Sequence, residues 1–271
     1  MLKDITLGQF FPGNSLLHKT DARFKILILL ALIIGIIAAD SSFSFLLMGV
    51  VTVTLVLVSK IPIKIILKNL RMLLFIFIFT AVLNVFFYEG ETLLWHWSFI
   101  EIYKEGLIYA LFMILRLACL VCSSFVVLTY TTSPLDMTDA IERLLSPLKK
   151  IKVPVHEFAM MMTIALRFIP TLIEETDKIM SAQKARGADM ESGGLIKRAK
   201  ALIPILIPLF VSSFRRADEL AEAMECRCYR GGEGRTKMKQ IKSCFRDYAF
   251  LTVTVGICVA VFFINRYGVR V

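Results

Sequence analysis

Long apolar runs alternate with short polar links along this chain. Residues 24–39, 43–58, 72–87, 107–130 and 248–264 are long and nearly free of charge. A helix that crosses a bilayer core needs roughly 17–25 such residues. The pattern therefore predicts an all-α, polytopic integral membrane protein with about five transmembrane helices. Between the fourth and fifth runs the character changes. Residues 131–247 are charged, basic and rich in helix formers, and their apolar stretches are short or interrupted. The stretch 201–211 is apolar throughout, but eleven helical residues reach only about 16 Å. The stretch 158–173 contains Arg167 and Pro170. The expected organisation is a four-span bundle over 1–130, long cytoplasmic helices lying against the membrane over 131–247, and a last span with the C-terminus over 248–271.

The charges orient the spans. Lys3, Lys19, Arg23 and Lys25 surround the start of the first run, and no short apolar region with a small-residue cleavage site marks a removable signal peptide. The link Asp40-Ser41-Ser42 carries no positive charge, whereas the next carries Lys60, Lys64, Lys68 and Arg71. The third link is acidic and aromatic: Glu89, Glu91, Glu101 and Glu105 stand against a lone Lys104, with Trp95 and Trp97 read as outer interfacial anchors. The N-terminus is expected inside and the C-terminus outside. Arg266 and Arg270 run against that rule and make the last span the weakest part of the topology. At 57% hydrophobic and 20% charged residues, with a mean hydropathy of +0.70, the composition excludes a secreted disulfide scaffold and a simple soluble enzyme. The net charge of +10 then reads as membrane topology, not nucleic-acid binding.

Two segments of the basic region repeat one design. A helix can run from Val155 to Gly187 and another from Gly194 to about Cys228. Each starts apolar, passes Ile-Pro pairs (Ile169-Pro170; Ile203-Pro204 and Ile207-Pro208), turns polar and closes on a similar hexapeptide. The closures are Ala182-Gln183-Lys184-Ala185-Arg186-Gly187 and Ala223-Met224-Glu225-Cys226-Arg227-Cys228. A helix tip flanked by small residues admits a partner's surface closely, with one guanidinium projecting to grip a carboxylate bidentately. Two such tips suit two copies, or two paralogues, of one partner. The plain alternative is that both arginines merely finish amphipathic helices. The apolar stretch with its helix-interrupting prolines, Pro204, Ile205, Pro208 and Leu209, is expected to contact another membrane subunit, and Met161 in the run 160–162 suits adaptable contact with varied partners.

The chain resembles the transmembrane T-component of energy-coupling factor transporters, ATP-driven importers of vitamins and transition metals in prokaryotes. The resemblance rests on 8–25, 131–187 and 204–236, most strongly on Pro154-Val155-His156-Glu157, Leu166-Arg167-Phe168-Ile169-Pro170-Thr171-Leu172, Ala185-Arg186-Gly187 and Tyr229-Arg230-Gly231-Gly232-Glu233-Gly234. It implies a non-catalytic coupling subunit of the cell membrane. Arg186 and Arg227 would dock into grooves on two ATPase subunits that form a heterodimer and hold ATP and Mg, this chain binding no cofactor itself. The apolar helix faces would hold a separate substrate-binding membrane subunit. Two departures stand out. The second tip reads Cys226-Arg227-Cys228 where the family has Ala-Arg-Gly, so it lacks Gly's freedom at positive φ, and Gly231-Gly232 are available to take over the turn. Asp21-Ala22-Arg23 replaces Asp-Pro-Arg and keeps both charges.

Other signals carry less. Cys119 and Cys122 have CxxC spacing inside an apolar run, and His18, His96 and His156 fall in separate segments. The stretch 231–236 is glycine-rich but lacks the Gly-Lys-Ser/Thr ending of a phosphate loop. Arg116, near the middle of the fourth run, reads as a structural anchor with no obvious acid to complement it. A self-sufficient carrier or channel is the runner-up, disfavoured because no inverted repeat is visible in the spans. A membrane-embedded enzyme lacks a nucleophile–base pair or metal cluster.

Overall fold

A computed structural model describes residues 10–87, 90, 92–97, 100–188, 194–232 and 243–267. The elements are α1 (Leu16–Lys19), α2 (Ala22–Ile37), α3 (Ser42–Ser59), α4 (Ile63–Met72), α5 (Leu74–Phe87), a hairpin of β1 (Leu93–Trp97) and β2 (Ile100–Tyr103), α6 (Lys104–Ser124) continued by a π-helical turn (Phe125–Thr129), α7 (Pro134–Leu144), a 3-10 turn (Ser146–Ile151), α8 (Val155–Ala185), α9 (Leu195–Cys226) and α10 (Phe245–Tyr267). This is an all-α, multi-pass membrane protein. The antiparallel hairpin inside the acidic third link is its one departure from helix among the described residues. The Trp95 and Trp97 side chains lie outside the described residues, as do Glu89, Glu91 and Arg270.

Four helical stretches are long and apolar enough to cross a membrane: Ser42–Ser59, Lys104–Thr129, Val155–Ala185 and Phe245–Arg266. The pair α4 and α5, bent by 54° at its break, makes a fifth if it is one span. Three details differ from the sequence reading, the first being that Val155–Ala185, expected on the cytoplasmic side, is long and apolar enough to cross. The basic link that follows α3 is largely helical: α4 exposes Lys64, Lys68 and Arg71 and buries Ile66, the amphipathic pattern of a helix lying at an interface. The first apolar run forms α2, whose 16 residues span only about 24 Å.

The chain divides into two units, one of 8–137 with 240–271, the other of 138–239 with 1–7. In the larger unit α2 is the central helix. It is apolar all round, yet packed on one side only: Ile28, Leu32 and Ile36 are at most 1% exposed, in one cluster with Met48 of α3, Val126 of the π-turn and Val261 of α10, whereas Leu30, Ile34 and Ile37 are exposed, as on a lipid-facing side. Gly35 permits the close approach of α10, since a Cβ there would meet Cys258 Sγ at 2.8 Å.

Helices α2 and α10 run parallel, pinned at three levels. The Asp21 amide donates to Asp247 Oδ1 (3.4 Å), Cys258 Sγ donates to the Ala31 carbonyl (3.0 Å), and Asn265 Nδ2 donates to the Ala38 carbonyl. Asn265 Oδ1 also accepts from the Asp40 and Ser41 amides (3.2 Å each) and from Ser44 Oγ (2.6 Å), so one side chain serves the end of α2 and the start of α3. Asp21 caps α2 by accepting from the Arg23 amide at 3.0 Å and pairs with the Arg23 guanidinium at 2.6 Å. The cap and the ion pair are thus both made with alanine in place of proline between them. At the other end Arg116 finds the acid that the sequence reading did not identify. It donates to the Ala39 carbonyl (2.5 Å), pairs with Asp40 (3.2 Å) and stands over the Phe45 ring at 5.0 Å. The guanidinium thus neutralises the negative end of the α2 dipole.

Candidate functional site

Helices α8 and α9 form an antiparallel pair. Three contacts fix the direction. Gln183 Nε2 donates to the Pro204 carbonyl (3.4 Å), Arg216 pairs with Glu175 (2.8 Å), which also accepts from Ser212 Oγ, and Met160 and Ile164 line one cleft with Met224 and Arg227. The first contact has a specific cause. Pro208 has no N–H to give the Pro204 carbonyl, so the helix ladder is open there, and Gln183 reaches across to fill it. Both helices accordingly continue through their prolines, over 31 and 32 residues.

The antiparallel pairing places the two Arg-centred ends at opposite extremes, separated by about 40 Å of helix. Their caps are the same. Arg186 and Arg227 are the C-cap residues. At the first tip the Gly187 amide donates to the Lys184 carbonyl and the Ala188 amide to the Gln183 carbonyl, both at 3.0 Å. At the second the Cys228 amide donates to the Glu225 carbonyl (2.8 Å) and the Tyr229 amide to the Met224 carbonyl (3.0 Å). Each is a Schellman cap with its left-handed residue directly after the arginine. Gly187 holds φ +86° and Cys228 holds φ +58°. The second turn is therefore not handed over to Gly231-Gly232; Cys228 makes it, at a steric cost Gly187 does not bear. Ala185, Arg186, Gly187, Cys226, Arg227 and Cys228 are all exposed.

These caps give a direct test of the left-handed turns. Cys228→Gly is expected to stabilise the second tip and Gly187→Ala to weaken the first, each by about 1 kcal/mol. Gly187 has open space around it, so only its φ is at stake. Amide exchange at Tyr229 should slow, and at Ala188 quicken, about fivefold. Unchanged exchange at both would mean that φ costs nothing at these ends.

The tips differ in their surroundings. A cleft of about 640 Å³ lies beside the second, between Met160 and Thr163 of α8 and Met224, Arg227, Tyr229 and Arg230. The loop after it rests on His156, whose ring would collide with a Cβ on Gly232 at 2.6 Å and whose Nδ1 meets Glu142 Oε1 at 2.9 Å. From the sequence His156 reads as part of the motif Pro154-Val155-His156-Glu157 and as a poor metal candidate, and its packing against Gly232 emerges only in the fold. Residues 233–236 of the glycine-rich stretch lie outside the described residues.

On α9 the expected contact residues separate. Pro204 and Pro208 are exposed and Leu209 is half-buried, but Ile205 is 4% exposed and turns away from the outer face. The exposed apolar surface is instead Leu202, Ile203, Leu206, Ile207, Phe210 and Phe214, with Met161 and Phe158 exposed on α8.

The described residues thus form a multi-pass helical membrane chain whose two paired long helices each end in the same Arg-centred cap. A family model described as "CbiQ: Cobalt transport protein" matches residues 13–238. The chain is 54% identical to the energy-coupling factor transporter transmembrane protein EcfT of Ruminiclostridium cellulolyticum over 255 residues, 94% of this chain and 95% of the relative. Clostridium kluyveri has an EcfT at 54% identity over 96% of this chain and 97% of its own length. For the Bacillus subtilis protein the figures are 40%, 98% and 100%. The chain belongs to this family of transporter membrane proteins.

Proposed function

We propose that this chain is the membrane coupling subunit of an energy-coupling factor importer, with no reaction of its own. Two ATPase subunits, which hold ATP and Mg, dock on the two tips. A separate membrane subunit that binds a vitamin or other micronutrient lies on the outer apolar face of α9. The observation that carries the reading is the duplicated Schellman cap, which presents an exposed Arg186 and an exposed Arg227 in the same local frame at opposite ends of one helix pair. The differences between the tips, Gly187 against Cys228 and the cleft beside Arg227, favour two different ATPase subunits over two copies of one. The basic face of α4 and the positive residues around the tips favour the cytoplasmic side of a prokaryotic cell membrane for the coupling helices.

The two kinds of partner separate experimentally. Leu206→Asp with Phe210→Asp places two charges on the exposed face and leaves both caps intact. Affinity purification with mass spectrometry should then recover the ATPase subunits at wild-type amounts and lose the substrate-binding subunit by more than tenfold. A double variant that keeps all partners and full uptake would remove this face from the reading.

A further inference from the structure

We propose that the groove between α3 and α10 is a site for one anionic phospholipid, its acyl chain between the helices and its phosphate on Arg246. The groove, of about 400 Å³, is walled by Val51 and Leu55 of α3 and by Phe250, Val253 and Ile257 of α10, with Leu16, Thr20 and Arg246 at one end. Three features select the occupant. First, the lining offers hydrocarbon and no spare hydroxyl. Thr20, Thr54 and Thr254 all donate back to carbonyls of their own helices, those of Leu16, Val50 and Phe250. The walls therefore hold no free hydroxyl hydrogen for an anion or a carbonyl.

Second, the length is that of one leaflet. From Arg246 to Ile257 the groove follows α10 for about 16 Å, against about 15 Å for half a bilayer core. Third, the cation lies at the end where a headgroup belongs. Arg246 is exposed at the start of α10, level with the start of α2, where Asp21 and Asp247 meet. It has no ion-pair partner among the described residues, and the neighbouring Asp247 carboxylate is occupied by the Asp21 and Cys244 amides. A guanidinium there meets a phosphate bidentately, and a negatively charged headgroup gains further from the interfacial position.

The full chain in nanodiscs tests the site. Native mass spectrometry after release should show one phosphatidylglycerol retained at least tenfold over phosphatidylcholine, and inorganic phosphate should not compete. Arg246→Gln should abolish that preference while the protein stays folded. Val253→Trp should fill the groove and remove the retained lipid of either kind. Equal retention of the two lipids by the wild type, or an unchanged preference in Arg246→Gln, would overturn the proposal. So would a photoreactive group at Val253 that crosslinks to a protein partner in membranes in place of lipid.

Discussion

Replacing Arg186 and Arg227 together by glutamate is expected to strip the ATPase subunits from this protein and stop ATP-driven uptake, with membrane insertion and yield unchanged. Both arginines are exposed at the last turn of a helix, Arg227 beside the cleft, and the backbone bonds of neither cap involve the guanidinium. Loss of an arginine at such an end removes only about 0.3–1 kcal/mol of dipole interaction, so the helices survive. Across an interface the balance differs. Truncating one partner of a buried, hydrogen-bonded charge pair costs about 2–5 kcal/mol, more than tenfold in affinity. One arginine changed to alanine should weaken copurification, and two reversed to glutamate should end it. A double variant that still holds its ATPases and transports would show that the tips carry no coupling.

Lys25→Met should unfold the bundle more than any exposed charge change. Lys25 is 2% exposed, and its ammonium donates to the Thr131 carbonyl (2.7 Å) and to Thr132 Oγ1 (3.3 Å), joining the start of α2 to the chain just after the π-turn. Asp136, Asp21 and Asp247 all act on it electrostatically. Removing the ammonium strips the buried Thr131 carbonyl of a charge-assisted hydrogen bond, a loss of about 1.5–3 kcal/mol out of a total stability of about 5–15 kcal/mol. The thermal midpoint in detergent should fall by roughly 5 °C, while Lys64→Met, on the exposed face of α4, should leave it in place. Adding Asp136→Asn to Lys25→Met should restore part of the loss. A midpoint for Lys25→Met within a degree or two of wild type would show that this cluster is no keystone.

Much of this was legible in the sequence, for identifiable reasons. The ends of α8 and α9 were readable because a small-Arg-small closure with a left-handed residue is a local signal. The membrane class was readable because run length is a one-dimensional property. The buried side of α9 was not: where residues 201–211 are all apolar, periodicity cannot tell Ile205, which faces inward, from Leu206, which does not. Nor were the partners of Arg116, since Asp40 and Phe45 lie some seventy residues away and meet it only through the packing of α2, α3 and α6. Lys25 read as one more topological charge because nothing local distinguishes it from Lys19. Its burial comes from Thr131 and Thr132, more than a hundred residues on.

Gln183 mends the opening that Pro208 leaves in α9, and Glu175 fastens Ser212 and Arg216 from the same helix. The α8–α9 pair is thereby cross-braced along its length, and a braced rod neither stretches nor shortens appreciably. If two bodies grip its ends and draw together, the only freedom left to the rod is to change its pitch against the membrane plane. Whatever rides on its side would then be carried through an angle, so that a linear approach of two partners would be read out as a tilt.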